Sequence, residues 1–307
     1  MTPEIVVFGS MNMDLVVRVA RAPRGGETLH GLSFFTNPGG KGANQAVACA
    51  RQGARVAMVG CVGEDDFGKT LRNALAADGI AVAHVRAAEA STGVAVVMVD
   101  AAGENRITIV PGANDLLKAD PEALAGQFLL LQCEVPMAEV VLAARAMRAK
   151  GATVVMNPAP VCRLPDELWS LIDILVMNEI EAAELAGRPV ADPAGAAAAA
   201  YSLRRRGPST AIVTLGSQGV VVADDSGCRH FPALAVQVVD TTAAGDTFIG
   251  ALCAARVAGH SMDAAVMRGI QAATLCVTRA GAQASIPRLR ELEDVQQVAS
   301  PSALACP

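Results

Sequence analysis

The sequence has few aromatic residues and few histidines, and it lacks paired cysteine motifs. Its 307 residues include seven Phe, one Trp and one Tyr, so nucleic-acid binding by base stacking is not expected. The four histidines lie far apart and show none of the short spacings of a structural metal site. Eight cysteines occur without a CxxC pair, mostly within apolar segments, so we expect buried free thiols.

Two further absences concern membranes and polyanions. The sequence does not open with a basic stretch followed by a long apolar one, and its apolar runs are too short to span a bilayer. The formal net charge of −5 argues against a general polyanion binder. It allows a small phosphate ligand, because backbone amides can hold one without Lys or Arg. We therefore expect a cytoplasmic protein without nucleic-acid or membrane partners.

What the sequence contains is a regular alternation of short β-branched runs and Ala-rich helical segments. Apolar residues make up 52% of the chain, which is enough for a large aliphatic core. The alternation predicts an α/β fold with a mainly parallel central sheet and helices on both faces. The predicted strands span 5–9, 56–62, 153–157, 174–177, 211–215 and 220–223. The predicted helices span 43–52, 68–78, 137–150, 179–186, 193–206, 246–258 and 262–279.

Two stretches without helical character interrupt this pattern, at about 15–36 and 93–110. The second contains GVAVVMVD, the turn-like AAGEN and RITIV, an order typical of a β-hairpin. We expect the two stretches to form a small β-sheet lid inserted in a single α/β domain that spans 1–307. Such a sheet would cover a cleft, or pair with another subunit in a homodimer and so protect its edge.

Polar residues follow the first predicted strand in GSMNMD, residues 9–14. Asn12 and Asp14 come at the carboxyl end of that strand, where open α/β sheets bind ligands. Two residues apart in an extended chain, their side chains point the same way. A carboxylate beside an amide suits vicinal hydroxyls, since the pair supplies acceptors and donors. A turn with an Asx cap is the alternative.

A glycine-rich loop follows in NPGGKGANQA, residues 37–46. Its glycines allow close approach of the backbone to a ligand, and Lys41 offers a positive charge. The loop matches neither the Walker A spacing nor the dinucleotide-binding fingerprint, and a solvated lysine in a flexible loop is the alternative. Glu134 ends the apolar run LLLQCEVP, where a carboxylate is costly unless it is used or paired. A helix N-cap explains Glu134 equally well.

Two later segments also carry polar residues at the ends of predicted strands. In VMNEIEAAEL, Asn178 and Glu181 lie three residues apart on one face of a starting helix, within reach of a magnesium ion or its waters. A capping box has the same pattern and is the stronger interpretation for that motif alone. VTLGSQGV, residues 213–220, is by itself only a hairpin.

The segment VVDTTAAGDTFIGAL, residues 238–252, sets one acid at the start of a predicted helix. The amides of Ala243, Ala244 and Gly245 project at the helix N-terminus, which favours an anion. Asp246 beside them is either an N-cap or a general base. A base would take a proton from an attacking hydroxyl while the amides hold the transferring phosphoryl charge.

Together these motifs resemble the ribokinase family of carbohydrate kinases over nearly the whole chain. The matching segments are GSMNMD, GGKGANQA, STGVA, GAND, NPAP, MNEIEAAE, TLGSQG, DTTAAGDTF and VTRAGAQASIP. The resemblance implies ATP-dependent phosphorylation of the O5 hydroxyl of D-ribose, and an α/β fold with a β-sheet lid that often forms a dimer. A sibling kinase for deoxyribose, a ketohexose or a nucleoside would use the same catalytic residues and stays open. A non-catalytic sugar-binding protein would lack the base or the anion site, and both are intact.

The resemblance also implies roles for individual residues. Asp246 would deprotonate the sugar hydroxyl, with Ala243, Ala244 and Gly245 as the anion hole. The implied sugar-binding residues are Asn12, Met13, Asp14, Gly39, Gly40, Lys41, Gly42, Ala43, Asn44, Glu134 and Asp246. The implied ATP-binding residues are Asn178, Thr214, Leu215, Gly216, Ser217, Gln218, Gly219, Gly245 and Asp246. Glu181 would organise the hydration of Mg²⁺, and K⁺ would be held by Asp240, Thr242, Cys276, Arg279, Gly281 and Ser285.

Two positions depart from the family's usual pattern. Many relatives read GAGD where this chain reads AAGD, and the alanine is tolerable if its φ angle is negative. Ile270 falls where relatives often carry a polar residue near the adenine, so we expect an apolar contact there.

Overall fold

The computed structural model of the chain describes residues 2–293, 295 and 298–305. Its strands are β1 (Ile5–Phe8), β2 (Asn12–Arg18), β3 (Ser33–Gly39), β4 (Val56–Gly63), β5 (Ala81–Ala88), β6 (Gly93–Val99), β7 (Asn105–Val110), β8 (Phe128–Leu131), β9 (Thr153–Met156), β10 (Ile174–Asn178), β11 (Thr210–Thr214), β12 (Val220–Asp224), β13 (Gly227–Phe231) and β14 (Ser302–Leu304). Its α-helices are α1 (Lys41–Arg51), α2 (Asp66–Ala77), α3 (Met137–Ala149), α4 (Asp166–Trp169), α5 (Glu179–Ala186), α6 (Pro193–Arg204), α7 (Ala244–Val257), α8 (Met262–Val277) and α9 (Ala282–Ser285).

Most strands belong to one central sheet with the order β14-β13-β12-β11-β10-β9-β8-β1-β4-β5. Every neighbouring pair in the part β11-β10-β9-β8-β1-β4-β5 is parallel. The strands β12, β13 and β14 extend the sheet antiparallel. The predicted α/β fold with a mainly parallel sheet is confirmed.

The parallel strands have continuous apolar sequences rather than alternating ones. Both faces of these strands therefore have to be buried. In β1, Val6 and Phe8 belong to one apolar core, and Ile5 and Val7 belong to a second core on the other face. The four residues of β8, with the sequence FLLL, are all buried. Helices therefore pack on both faces of the sheet, as predicted.

The predicted helices are all present, with ends displaced by a few residues. The start of α6 is confirmed: the Asp192 side chain accepts the Gly195 N–H, and Pro193 occupies the first turn. The helix predicted from Asp246 begins two residues earlier, at Ala244. The strands β5, β8, β13 and β14 were not predicted. β5 lies at the sheet edge with an irregular burial pattern, so it lacks the alternation that identifies a strand.

A separate four-stranded sheet forms the predicted lid, in the order β3-β2-β6-β7. Its first segment is longer than the predicted 15–36, because Asn12 already pairs with Gly39 on one side and with Gly93 on the other. Asn12 and Asp14 therefore lie on the first lid strand, where it leaves the central sheet. This position places polar side chains where the lid meets the central sheet.

One cysteine departs from the expected free thiols. The free cysteines are Cys49, Cys61, Cys133, Cys162, Cys253 and Cys276. Cys228 is disulfide-bonded, so the prediction of a free thiol is wrong there, and Cys306 lies outside the described residues. Among the described residues, His, Cys, Asp and Glu side chains form no group of three or more suited to a metal ion. No helix in the described ranges is long and apolar enough to cross a membrane.

Candidate active site

The polar motifs meet at the carboxyl ends of the parallel strands. β10 and β11 lie side by side, with Asn178 opposite Thr214. An inner cavity of about 200 Å³ opens there, and its lining includes Lys41, Asn178, Glu181, Thr214, Thr241, Ala243, Ala244, Gly245 and Asp246. A lid cavity of about 720 Å³ lies between the lid and the central domain, and its lining includes Asp14, Val16, Asn37, Val97, Asp240, Thr241 and Gly281. Thr241 lines both cavities, which are therefore neighbours.

The glycine loop lets two backbone segments approach more closely than any side chain would allow. Gly40 is the N-cap of α1 with a φ of 88°, and a Cβ there would lie 2.7 Å from the Asn12 backbone nitrogen. A Cβ on Gly39 would lie 2.3 Å from the Asp14 carboxylate. The glycines thus bring the start of α1 against the lid strand that carries Asn12 and Asp14.

Glu134 lies at the N-terminus of α1 and interacts with it. Its Oε2 atom accepts the Ser10 hydroxyl at 2.5 Å and the Lys41 backbone N–H at 3.1 Å. The Ser10 oxygen in turn accepts the Gly42 N–H at 3.3 Å. A carboxylate is stabilised there by the unpaired amides of the first helical turn. The capping interpretation of Glu134 is therefore partly correct, and among the described residues none donates to its second oxygen, Oε1.

The orientation of the Asn12 side chain is determined by Asn114. The Met11 N–H donates to Asn114 Oδ1 at 2.9 Å, and this bond identifies the other end of the Asn114 amide as its NH₂ group. That group donates to Asn12 Oδ1 at 2.8 Å and to the Pro111 carbonyl at 3.0 Å. The Asn12 oxygen is thereby directed to Asn114, and its NH₂ group, which has no partner among the described residues, can donate to a ligand.

Asp14 is a carboxylate without a hydrogen-bond donor among the described residues. Burial, followed by the negative charges of Glu134 and Asp246, raises the pKa of Asp14 to about 7. A carboxyl group held at such a cost beside a cavity is characteristic of a ligand-binding position. The interaction between Asp14 and Asp246 also shows that the first and last motifs of the chain come together.

Asp246 lies in the first turn of α7 and is buried. Its Oδ2 atom accepts Asn44 Nδ2 at 3.1 Å, and its Oδ1 atom accepts Gln45 Nε2 at 3.0 Å. Burial raises the pKa of Asp246, while the Lys41 charge and the two amide donors oppose that effect. The carboxylate is thus oriented by two neutral donors, one on each oxygen.

Lys41 supplies the positive charge of the inner cavity. Its burial acts to lower the pKa, but the charges of Asp246, Glu134 and Glu181 outweigh burial, and the pKa of Lys41 is raised. The ammonium group therefore stays charged at neutral pH. It lines the same cavity as Ala243, Ala244 and Gly245.

The turn before α7 contains an alanine, Ala243, in an unusual backbone conformation. Ala243 has a φ of 61°, in the left-handed region, so the condition under which an alanine would be tolerated without strain is not met. The Ala244 N–H donates to the Thr241 carbonyl at 3.2 Å, and the first helical hydrogen bond joins the Thr247 N–H to the Ala243 carbonyl. Among the described residues, no acceptor is bonded to the Ala243 or Gly245 N–H groups. These two amides are therefore free to donate to an anion at the helix N-terminus.

Asn178 and Glu181 form the capping box that was the alternative for their motif. Asn178 Oδ1 accepts the Glu181 N–H at 2.8 Å, and Glu181 Oε2 accepts the Asn178 N–H at 2.9 Å. Both residues nevertheless line the inner cavity, and burial raises the pKa of Glu181. Thr214 lines the same cavity, and residues 215–219 form a short turn beyond it, with Gly216–Gln218 in a 3₁₀ helix.

Comparisons with known proteins agree with this arrangement. A model of the pfkB family of carbohydrate kinases matches residues 2–289. The chain belongs to that family. A ribokinase from Haemophilus influenzae is 42% identical over 298 residues, which cover 95% of this chain and 97% of the relative. A deoxyribokinase from Salmonella typhi is 36% identical over 300 residues, which cover 95% and 98%.

Solved structures extend the comparison to the fold. The Arabidopsis thaliana ribokinase, complexed with ribose and ATP, has a TM-score of 0.89 and 35% identity and covers 95% of this chain and 98% of its own. The resemblance inferred from the motifs is confirmed, and the protein is a sugar kinase.

In this kinase, most residues predicted for a monovalent cation lie together behind the turn before α7. Asp240 Oδ1 accepts the Thr242 N–H at 2.9 Å and its hydroxyl at 2.6 Å, and Asp240 Oδ2 accepts the Gly281 N–H at 2.9 Å. The Cys276 sulfur lies 3.0 Å from the Ser285 hydroxyl oxygen. Asp240 thus connects the turn to the segment before α9. The Arg279 side chain forms an ion pair with Glu291 at 2.7 Å, which leaves its backbone carbonyl as the group that could face a cation.

Several predicted residues do not present their side chains to either cavity of the kinase. Met13 and Ala43 pack in the apolar core, and Met13 lies on the strand face opposite Asp14. Ile270 is also buried in that core. Conversely, Ser10, Gln45 and Asn114 hold site residues and were not predicted. Gln45 and Asn114 stand within the quoted motifs GGKGANQA and GAND, but no spacing rule assigns them a partner.

Proposed function

We propose that this sugar kinase is an ATP-dependent ribokinase, which transfers the γ-phosphoryl group of ATP to the O5 hydroxyl of D-ribose. The observation that carries the proposal is the geometry of Asp246. Its buried carboxylate is held by two amides, and the same cavity contains Lys41 and the helix N-terminus that would bind an anion. The ribokinase relatives support the substrate.

The lid side of the site supports binding of a polyhydroxyl ligand. Asp14 and Glu134 offer free carboxylate oxygens, and Asn12 offers an NH₂ group. Asn44 Oδ1 is buried without a partner among the described residues, so it can accept a hydrogen bond from a hydroxyl group. Alternating donors and acceptors of this kind match the vicinal hydroxyls of a small sugar better than a flat base. We assign to Gly39, Gly40 and Gly42 the role of letting the backbone of the loop come close to the sugar.

The chemistry follows from these positions. Asp246 takes the proton of the O5 hydroxyl, the oxygen attacks the γ-phosphorus, and ADP leaves. The N–H groups of Ala243 and Gly245, with the Lys41 ammonium, stabilise the charge on the transferring phosphoryl oxygens. We assign Asn178, Thr214 and residues 215–219 to the nucleotide.

The same proposal includes Mg²⁺ and K⁺. Glu181 fits a magnesium site, because its carboxylate lines the inner cavity and burial raises its pKa, a cost that a cation would remove. Bound Mg²⁺ supplies charge neutralisation on the phosphate oxygens. The carboxylate of Asp240 and the loop it holds fit a monovalent cation behind the anion-binding turn. Equal rates in potassium and in a large organic cation, at the same ionic strength, would remove K⁺ from the proposal.

The Asp246→Asn variant tests the base. We expect the rate of ribose phosphorylation to fall by about three orders of magnitude or more, because both proton abstraction and alignment are lost. Asp66→Asn, at an exposed position on α2, is the matched control and should retain wild-type rates. Turnover near wild type in Asp246→Asn would refute the assignment.

A kinase for deoxyribose is the second candidate, since the Salmonella typhi relative carries that name at similar identity. The residues of the reaction centre do not separate the two sugars, which differ only at the 2-hydroxyl. Rates with ribose, deoxyribose, fructose and adenosine, each with ATP, decide between them. A higher kcat/KM for deoxyribose than for ribose would replace the proposed substrate.

We further propose that this cytoplasmic enzyme, a single catalytic domain with its lid, is a homodimer joined through the lid sheet. The lid exposes Leu32, Phe34 and Ile107, whose side chains are 69%, 63% and 58% accessible. The edge strand β7 is exposed along its whole length. Light scattering should show a dimer that Phe34→Arg dissociates, while Phe67→Arg on α2 leaves the dimer intact. A monomeric wild-type protein would contradict this assembly.

A further inference from the structure

A chain of buried side-chain amides leads to Asp246 from inside the central sheet. Gln132 and Gln45 are completely buried, and Asn157 is nearly so. Gln132 Nε2 donates to Gln45 Oε1 at 2.7 Å. Gln45 Nε2 donates both to Asn157 Oδ1 at 3.2 Å and to Asp246 Oδ1 at 3.0 Å. The three amides form one connected network that ends on the carboxylate.

A backbone carbonyl determines the direction of every hydrogen bond in this network. The Val176 carbonyl can only accept, so Asn157 turns its Nδ2 toward it, at 3.0 Å. Asn157 Oδ1 therefore faces Gln45, which must present its NH₂ group. One hydrogen of that group goes to Asn157 and the other to Asp246. Gln45 is thereby held as a donor to Asp246 and cannot turn its oxygen toward the carboxylate.

Gln45 differs from the other donor to Asp246 in what surrounds it. Asn44 Oδ1 is buried without a partner among the described residues, whereas both ends of the Gln45 amide are bonded to other side chains. Gln45 lines neither the inner cavity nor the lid cavity. It contacts the carboxylate from the protein interior, so any effect it has on the reaction passes through Asp246.

We propose that Gln45 is the positioning residue of the reaction: it orients the Asp246 carboxylate toward the sugar hydroxyl and stabilises its anionic form with a hydrogen bond of fixed direction. This inference rests on the proposed role of Asp246 as the general base. A residue that acts only through the base affects kcat, whereas the KM for the sugar stays nearly constant.

The Gln45→Met variant removes the donor while keeping the length of the side chain. Without the hydrogen bond the carboxylate is less stable, its pKa rises, and more of the base is protonated at a given pH. We expect kcat to fall about 10- to 100-fold and the acid limb of the kcat–pH profile to move up by about one pH unit. The KM for ribose should change less than about threefold.

Other charged groups interact with Asp246, and the experiment has to separate them. They are Lys41, Glu134, Asp14, Glu181 and Cys276. All are unchanged in the variant, as are the ionisations of ATP, so their contributions cancel in the comparison with wild type. Measuring kcat at saturating ribose keeps Asp14 in its sugar-bound form throughout.

Gln132→Met is the matched control, because it makes the same substitution in the same network one link away from Asp246. We expect it to lower the melting temperature without moving the acid limb. Should Gln45→Met fold poorly, Gln45→Asn keeps an amide but is one methylene too short to reach Asp246, and the same shift is expected. The midpoint of the acid limb does not depend on the folded fraction, provided circular dichroism is constant over the pH range.

The outcomes are distinct. A shifted limb and lower kcat in the Gln45 variants, with an unmoved limb in Gln132→Met, support the positioning role. An unmoved limb in the Gln45 variants, or equal shifts in Gln132→Met, overturns it and leaves Gln45 a structural residue. Asp246→Asn in the same assay separates the base assignment from the role of Gln45. If Asp246→Asn is inactive and the acid limb of Gln45→Met is not shifted, only the role of Gln45 is refuted. An active Asp246→Asn refutes the base assignment and this inference with it.

Discussion

The ligand-free protein should be less stable when Asp14 is ionised than when Asp14 is protonated. Burial, and then the charges of Glu134 and Asp246, raise the pKa of Asp14 from 3.8 to about 7. The folded protein therefore binds this proton more tightly than the unfolded chain does. The free energy of unfolding consequently falls as pH rises from about 4 to about 7, and the full penalty is present above pH 7.

The magnitude follows from the size of the shift. A difference of about three pH units corresponds to about 4 kcal/mol, which is an upper limit because the neighbouring acids titrate together with Asp14. The Asp14→Asn variant carries no such penalty. We expect its free energy of unfolding at pH 8 to exceed that of wild type by about 2–4 kcal/mol. At pH 4 the difference should nearly vanish, because the folded wild-type protein is then protonated at Asp14.

Urea unfolding followed by circular dichroism, at pH 4 and pH 8 without sugar, measures this effect. Asp66→Asn, whose carboxylate is exposed on α2, is the control and should change stability by less than about 1 kcal/mol. The same Asp14→Asn protein should show a KM for ribose at least about tenfold higher, because a charged acceptor is lost. A stability gain that is equal at both pH values, or a loss at pH 8, would refute the reasoning.

Two further substitutions test the local geometry. Asn114→Ala leaves Asn12 and buried backbone groups without partners, so we expect a loss of about 2–3 kcal/mol in urea unfolding and a raised ribose KM. The control Asn73→Ala, at an exposed position on α2, should leave the KM unchanged and change stability by less than about 1 kcal/mol. Ala243→Gly relieves a left-handed alanine, and calorimetry should show a gain of about 0.5–1 kcal/mol. Ala244→Gly, one residue into the helix, should lose about as much, and equal effects of the two glycines would contradict the strain at Ala243.

The sequence was informative wherever a residue acts through local pattern. The alternation of apolar runs and Ala-rich segments predicted the α/β fold, because buried parallel strands need continuous apolar sequence. The helix-free segments predicted the lid, although its true limits depend on the pairing of Asn12 with Gly39 and Gly93. β5 was missed because an irregular edge strand has no periodic signal.

The backbone of the turn before α7 shows where local inference failed. The condition that Ala243 have a negative φ followed from side-chain sterics alone. In the fold, the turn is constrained by the hydrogen bonds of Asp240 with Thr242 and Gly281, and Ala243 adopts a left-handed conformation despite its Cβ. Such tertiary constraints leave no mark in the residue types of the turn.

By itself the sequence determined the kind of chemistry: an acid at a helix start, small residues before it, and polar motifs at strand ends. These are properties of short segments, and they persist in any fold that keeps the segments intact. The tertiary structure decided which atoms act together. Asn44 and Gln45 reach Asp246 across some 200 positions, and Asn114 orients Asn12 across 102. Hydrogen bonds over such separations depend on the packing of the whole sheet, so only the folded chain brings the proposed base, its supporting amides and the proposed sugar-binding groups into one site.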